Sequence, residues 1–497
     1  MNARSPDLPQ HADGDLLDTT AAGPVAARGG ALRAGGYAVG ALLTLLSAPL
    51  MIRHLGVEDF GRYVTVLSLV AIVAGFMDAG LAAITVREYV SRRGQDRDRV
   101  LRDMLGIRIA LALAAAAIAV LFAIVAGYPT VQVVGTVAIA AAFVGWSVQT
   151  VLAASLQGEL RFGWITAVEL IRQAALVAVI VVLVVVGAEL GPFFFAMIPA
   201  TAIGLAITVV LVRRLMPLRP TFHLRRSWPL IRDTLTYAAA VALNAAYFRI
   251  AIVAVSLLAT ERETGYFATA FRVMEVLISV PLLVIGAAFP ILARAARDDR
   301  LRLDAVTSRL VEVGLVMGVW LTLAVALAAE PIVFVLAGGE ADPSIGLLRL
   351  LTAALAATFV TVACGFALLS LRCHRAILLA NGVAFVVSIV LTLVLVPRHG
   401  ATGAAVAVLI AESVLLVCVF VALARERPAV VGALRRAPAV IAAGAIACLV
   451  VLLPGIPPLV DACVAVLLYP ALLLALGRFP PEIGDALRGR EAKAFAQ

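Results

Sequence analysis

A small set of charged residues stands inside or at the edges of long apolar runs in this chain, and their side-chain types limit what they could hold. A charge at mid-membrane costs roughly 2.5–3.5 kcal/mol even on lenient insertion scales, so such a residue faces a cavity or a partner. Arg249 closes the run Asn244-Ala245-Ala246-Tyr247-Phe248-Arg249. A guanidinium never loses its proton and donates two parallel hydrogen bonds, the geometry that pairs with a phosphate. The same residue could instead be structural, bonded to helix carbonyls. Arg272 and Glu275 are three residues apart, so on a helix they share a face and can pair; Glu169 and Arg172 repeat that spacing. Each pair is either an internal structural ion pair or part of a cavity lining. Arg53, beside Leu55-Gly56, either faces a cavity or snorkels to an interface. Asp78 could carry a proton or a cation, but Asp78-Ala79-Gly80 reads more readily as a helix break. Arg249, Arg272, Arg53 and Arg172 are thus the candidates for holding an anionic substrate. Asp78, Glu169 and Glu275 are the candidates for ion coupling or charge pairing. Glu312 and Glu412 read as packing or capping features, and Asp461 is assigned nothing.

The composition says what must position them. Of 497 residues, 63% are hydrophobic and 14% charged, with a mean hydropathy of +1.05. A soluble domain carries about 45–50% apolar and about 25% charged residues, so a soluble enzyme, a fibrous protein and a disordered chain are excluded. Of the 40 basic residues 39 are arginine, and the one lysine, Lys493, lies in the C-terminal tail. A P-loop needs an internal lysine, so the chain has no Walker motif of its own, and Schiff-base chemistry is excluded from the membrane region. Cys364, Cys373, Cys418, Cys448 and Cys463 lack metal or C-x-x-C spacing and read as small core residues. No metal, cofactor or catalytic residue is expected.

Fourteen helices are predicted, at about 36–52, 63–86, 104–127, 131–155, 164–188, 191–212, 233–258, 266–291, 310–329, 347–371, 376–397, 401–423, 438–454 and 457–477. Each can cross a hydrocarbon layer of ~30 Å. The tails and alternate loops carry 31 Arg and Lys, the other loops 4. By the positive-inside rule both termini are cytoplasmic. The net charge of +9 then reports topology and anionic membrane lipid rather than nucleic acid. No signal peptide is expected, because the first long apolar run begins near Tyr37. The longest outward segment, Glu330 to Gly346, is expected to be a loop broken by Gly338-Gly339 and Pro343. It is too small for an extramembrane catalytic site, so the protein is read as not an enzyme. Pro49, Pro199, Pro281 and Pro290 should bend their helices.

The stretch Tyr37 to Ile84 is echoed at Tyr237 to Pro290, with Leu55-Gly56-Val57-Glu58-Asp59-Phe60-Gly61-Arg62-Tyr63 matching Leu258-Ala259-Thr260-Glu261-Arg262-Glu263-Thr264-Gly265-Tyr266. An offset of six helices predicts two parallel halves related by an axis along the membrane normal. The run Ala48 to Tyr63 with Asp78-Ala79-Gly80-Leu81 resembles the opening of the Wzx-type oligosaccharide flippases of the MOP superfamily. So do Gly265 to Glu275 with Phe289-Pro290, and Leu395 to Ala405 with Glu412 behind them. The resemblance spans about residues 35–425.

That resemblance implies an all-α membrane fold. Its parts would be a disordered tail (1–34), a six-helix bundle (35–212), a cytoplasmic linker (213–232), a second six-helix bundle (233–424), two further helices (425–477) and a tail (478–497). It implies a flippase in the cytoplasmic membrane that moves a polyprenyl-pyrophosphate-linked oligosaccharide outward for cell-surface polysaccharide. Its pyrophosphate and glycan would contact Arg249 and its fellow candidates. Arg53 matches a family arginine near the central cavity. The family often has Arg-x-Asp where this chain has Arg249-Ile250-Ala251, which removes a carboxylate from cation coupling there. H+ or Na+ as coupling ion and a polysaccharide polymerase as partner are compatible with the family. Three other functions share some of these features: a lipid II flippase, a MATE-type cation or drug exporter, and a membrane polymerase or glycosyltransferase.

Overall fold

The computed structural model describes residues 22–78, 81–286, 288–449 and 458–477. Among them every regular element is helical: α1 (Ala22–Asp78), α2 (Leu81–Ser91), α3 (Gly94–Val125), α4 (Thr130–Gly158), α5 (Phe162–Val186), α6 (Leu190–Phe195), α7 (Met197–Val212), α8 (Leu224–Leu258), α9 (Glu261–Leu277), α10 (Ser279–Gly286), α11 (Phe289–Asp298), α12 (Arg300–Leu327), α13 (Ala329–Ala337), α14 (Pro343–Ser370), α15 (His374–Glu426), α16 (Ala437–Cys448) and α17 (Pro458–Ala475). Ten stretches among the described residues are long and apolar enough to cross a membrane, and Arg249–Leu258 and Val460–Ala475 are shorter apolar helices. Large side chains such as Val185, Leu379 and Leu467 stand exposed along them, the surface a lipid solvent requires. The chain is a multi-pass membrane protein.

Two long helices are broken at one glycine each. Gly56 in α1 has φ 77° and ψ 170°, and Gly400 in α15 has φ 53° and ψ −137°. A side chain rarely tolerates these positive φ values, so glycine marks the bend. The turn expected between residues 52 and 63 therefore shrinks to Gly56, and Glu58 to Arg62 are helical. Helix breaks also precede proline, which lacks the N–H that would continue the ladder. One falls at Ala196 before Pro199, another at Ile278 before Pro281. α1 begins at Ala22, so the segment from 22 to 34 is helical rather than disordered. The expected tails at 1–21 and 478–497 lie outside the described residues.

The segment expected to be the longest outward loop departs from that expectation. Residues 329–341 are not a loop: α13 and a 3-10 turn at Gly338–Ala341 fill them. The apolar run Ile332-Val333-Phe334-Val335-Leu336 explains this, because Val333 and Leu336 are buried in the core that α1, α9 and α14 share. The cysteines also differ from expectation. Cys364 is buried, Cys373 and Cys418 are half-buried, and Cys448 and Cys463 are exposed.

Lipid tails are as apolar as leucine, so the helices associate through close contact and polar bonds rather than water exclusion. Small residues supply the contact. A Cβ at Gly61 would meet the Gly265 backbone at 2.7 Å, and one at Gly318 would meet Ala356 at 2.9 Å. Polar bonds supply the rest. Trp320 and Tyr469 tie α12 to α17 through the Val466 and Val316 carbonyls, at 3.0 and 3.2 Å. The arginine-rich face is pinned similarly. Arg427 donates to Asp304 at 2.6 Å, which holds its guanidinium above the usual value. Thr221 and His223 of the 213–232 linker reach Asp103 at 2.6 and 3.0 Å.

The Gly61–Gly265 contact gives a direct test. A Cβ at Gly265 would overlap the Val57 carbonyl. Gly265→Val should lower the unfolding midpoint in lipid, equivalent to about 1–3 kcal/mol of overpacking. Gly346→Ala, with open space around it, should leave the midpoint unchanged.

Candidate functional site

Glu275 of α9 sits between two guanidinium groups. It accepts from Arg272, one turn back on the same helix, at 2.7 Å, and from Arg249, which α8 carries across to it. The i,i+3 spacing anticipates the first bond; nothing in the sequence announces the second, 26 residues away. The three side chains are each between 18 and 26% exposed, so they are partly accessible rather than sealed in packing. Tyr63 of α1 lies within the field of both Arg272 and Glu275, which turns the cluster toward the first half of the chain. Two cations against one anion leave an excess of one positive charge. Such a cluster has donor capacity for an anion and none for a metal: among the described residues no group of His, Cys, Asp and Glu could hold a metal ion.

The other candidates are apart from this cluster. Arg53 donates to the Phe334 carbonyl of α13 at 3.0 Å and is exposed, so it ties α1 to the second half. Arg172 is buried and bonds Glu169 on α5, while the adjacent Gln173 reaches Thr44 of α1. Glu169 lines a cavity of about 260 Å³ with Trp146, Gln149 and Thr166. Asp78 is the last residue of α1, and its side chain lies outside the described residues. Two intramembrane arginines that were not site candidates are satisfied by carbonyls: Arg108 by Ser147 and Arg349 by Ala326, each at 3.3 Å. That structural role, open for Arg249 from sequence, belongs to them.

Sequence reasoning missed three polar contacts between distant segments. Tyr247 of α8 donates to the buried Glu412 of α15, so Glu412 is a partnered core carboxyl and packs α15 on α8. Asn244 donates to Asn381 at 3.0 Å, on the same pair of helices. Arg62 of α1 bridges its neighbour Asp59 at 2.7 Å and Glu261 of α9. A polar residue inside an apolar run is the available signal for the first two, and a charged turn for the third, but neither names a partner.

The shared carboxylate predicts coupling. Glu275→Gln strands two cations and should destabilise more than Arg249→Gln, which leaves the Arg272–Glu275 pair whole. The double variant should fall short of the sum of the two by about 0.5–3 kcal/mol in a thermal-unfolding cycle. Additivity would mean that Arg249 and Glu275 are not bonded.

Comparison with known proteins agrees with this architecture. A family model described as polysaccharide biosynthesis protein matches residues 50–345. A solved structure of the lipid II flippase MurJ in an inward closed conformation aligns with a TM-score of 0.72 at 12% identity, covering 90% of this chain and 99% of that one. An inward-facing multidrug resistance MATE family transporter of the MOP superfamily aligns at 0.60 and 14% identity, covering 80% and 99%. A MOP superfamily transporter from Pyrococcus furiosus, described as having a binding pocket of reversed polarity, aligns at 0.60 and 14% identity, covering 85% and 99%. Among curated proteins none matches the sequence. At these identities the structures speak for the fold, while the match over residues 50–345 speaks for kinship: the chain belongs to the polysaccharide biosynthesis protein family, built on the MOP-superfamily fold.

Proposed function

We propose that this protein is a flippase that carries a polyprenyl-pyrophosphate-linked oligosaccharide from the cytoplasmic to the outer leaflet of the cytoplasmic membrane, for cell-surface polysaccharide assembly. The observation that carries this reading is the excess positive charge of Arg249, Arg272 and Glu275 within the apolar region. A pyrophosphate offers paired oxygens to a planar donor, whereas a cationic drug would be repelled. The lipid tail stays in the bilayer while the headgroup passes the cluster. Fourteen spans, as two six-helix bundles and two further helices with both termini cytoplasmic, suit the 31-to-4 loop asymmetry and the single-glycine bends at Gly56 and Gly400, which each join two spans. Membrane potential, an ion gradient or substrate supply drives the cycle, since the chain has no nucleotide motif.

A lipid II flippase is the second reading, favoured by an alignment with such a protein that covers 90% of this chain. Both substrates present the same pyrophosphate to the same cluster. They differ in sugar, so mass spectrometry of the lipid-linked intermediate that accumulates in a deletion strain separates them.

Two experiments test the proposal. Arg249→Ala should abolish glycan export and leave membrane abundance intact; normal export would remove Arg249 from the mechanism. For orientation, a cysteine at the exposed Glu340 should react with an impermeant maleimide from outside, and one at the exposed Gln95 only after permeabilisation. The reverse pattern would invert the topology.

A further inference from the structure

α1 and α9 come from the two halves of the chain, and they meet backbone to backbone where Gly61 lies against Gly265. One residue further on, the contact is electrical. Arg62 of α1 gives one end of its guanidinium to Asp59, a turn back on the same helix, at 2.7 Å, and the other end to Glu261 of α9. The Asp59 bond is local and survives any separation of α1 from α9. The Glu261 bond exists only while the two helices touch.

The three charges do not balance. Asp59 and Glu261 contact one guanidinium, so the two carboxylates stand within a few ångströms of each other and repel. Whenever Glu261 approaches Arg62 it also approaches Asp59. Asp59 therefore subtracts from the attraction across the seam, while it keeps Arg62 paired when Glu261 is away. The flanking charges do not relieve it. Glu58 of α1, Arg262 of α9 and Glu340 of the 3-10 turn line a cleft of about 370 Å³ with Asp59 and Arg62, and those three add one further negative charge. On the other side lies a cavity of about 190 Å³, with Gln132 and Thr264 in its walls, so the Arg62–Glu261 pair is not packed in from behind. Asp59 and Arg62 are each 33% exposed and Glu261 46%. Solvent screens such bonds, which are weak enough to break and remake.

We propose that Asp59, Arg62 and Glu261 form a self-limiting latch, in which the Arg62–Glu261 bond holds the two halves together and Asp59 sets how easily they part. Opening exchanges a shared guanidinium for a local pair, so neither arrangement leaves the cation alone. The proposal rests on the transport reading for the parting of the halves, not for the pairing. It gives Asp59 the opposite sign to its two partners: it is bonded in the closed arrangement, yet its loss makes that arrangement tighter.

The test measures how often the seam parts. Thr264 is 3% exposed and Gln132 5%, and they line the cavity behind the latch from opposite halves. Thr264→Cys and Gln132→Cys are made separately in the full chain with its five native cysteines replaced by alanine, in lipid nanodiscs, where both faces are open to reagent. The rate of reaction with a maleimide then reports the open fraction. Glu261→Gln should raise that rate about two- to fivefold, equivalent to about 0.4–1 kcal/mol. Arg62→Gln should raise it further, since two carboxylates are left facing each other. Asp59→Asn should lower it by a similar factor. If one reporter fails to fold, the other decides. A raised rate in Asp59→Asn, the result expected of a purely structural bond, would overturn the proposal, as would equal rates in the parent and all three variants. Export of the lipid-linked glycan by the parent is measured alongside. The expected order of rates without export would leave the latch standing and sink the transport reading. Export with equal rates would do the opposite.

Discussion

A guanidinium in a hydrocarbon layer must find a counter-charge, a carbonyl or water, and that requirement organises this protein. The chain carries almost all of its positive charge as arginine, which cannot neutralise itself by losing a proton. Each intramembrane arginine therefore fixes a neighbour. Arg108 holds α3 to α4 through Ser147, and Arg349 holds α14 to α12 through Ala326. Arg172 holds Glu169 on its own helix. Around Glu275 the pairing is uneven, with two guanidiniums on one carboxylate. Uneven pairing costs stability unless something anionic completes it, and stability spent there is what distinguishes a site from a strut.

Much of this was legible from residue order. Long apolar runs, arginine-rich alternate loops and glycine or proline at the breaks follow from one-dimensional rules about hydrocarbon, charge and backbone freedom. The i,i+3 pairs at Glu169–Arg172 and Arg272–Glu275 were legible for the same reason, since helix geometry alone brings them together. What one dimension could not supply was choice of partner. Arg53 finds Phe334, 281 residues away, and Tyr247 finds Glu412, 165 residues away. Periodicity tells which face a residue occupies and says nothing about which helix covers that face. The α13 segment was misjudged on the same account. Its glycines and proline were weighed as breakers, while the core it could join was invisible until α1, α9 and α14 stood around it.

Four contacts tie the first half of the chain to the second. Gly61 touches Gly265, Arg62 bridges to Glu261, Arg53 reaches Phe334, and Tyr128 meets Ser256. Four of these residues, Gly61, Arg62, Glu261 and Gly265, come from the two segments that echo each other in sequence, so those segments meet along one seam. A seam of backbone contact and a few exposed or half-exposed polar bonds is weaker than a packed core: exposed ion pairs are worth about 0–1 kcal/mol each. That modest sum suits the parting that the proposed transport cycle would need. The buried Tyr247–Glu412 bond lies instead inside the second half, where the proposed cycle needs no opening.

The sign of the central cluster bears on what drives the proposed cycle. Empty, Arg249, Arg272 and Glu275 carry about one positive charge; with a pyrophosphate diester of about two negative charges bound, the ensemble carries about one negative. A membrane potential that is negative inside acts on each elementary charge with about 2.3 kcal/mol per 100 mV. It favours movement of the loaded, negative site outward and return of the empty, positive site inward. Both half-cycles then run downhill through the same three side chains. Where Ala251 stands in place of a family carboxylate, a fixed negative charge would make the empty site neutral and the loaded one about two negative, so the potential would act on the loaded step alone. Alanine at 251 therefore divides the work of the potential between the two half-cycles of the proposed cycle, while its total is set by the charge of the substrate.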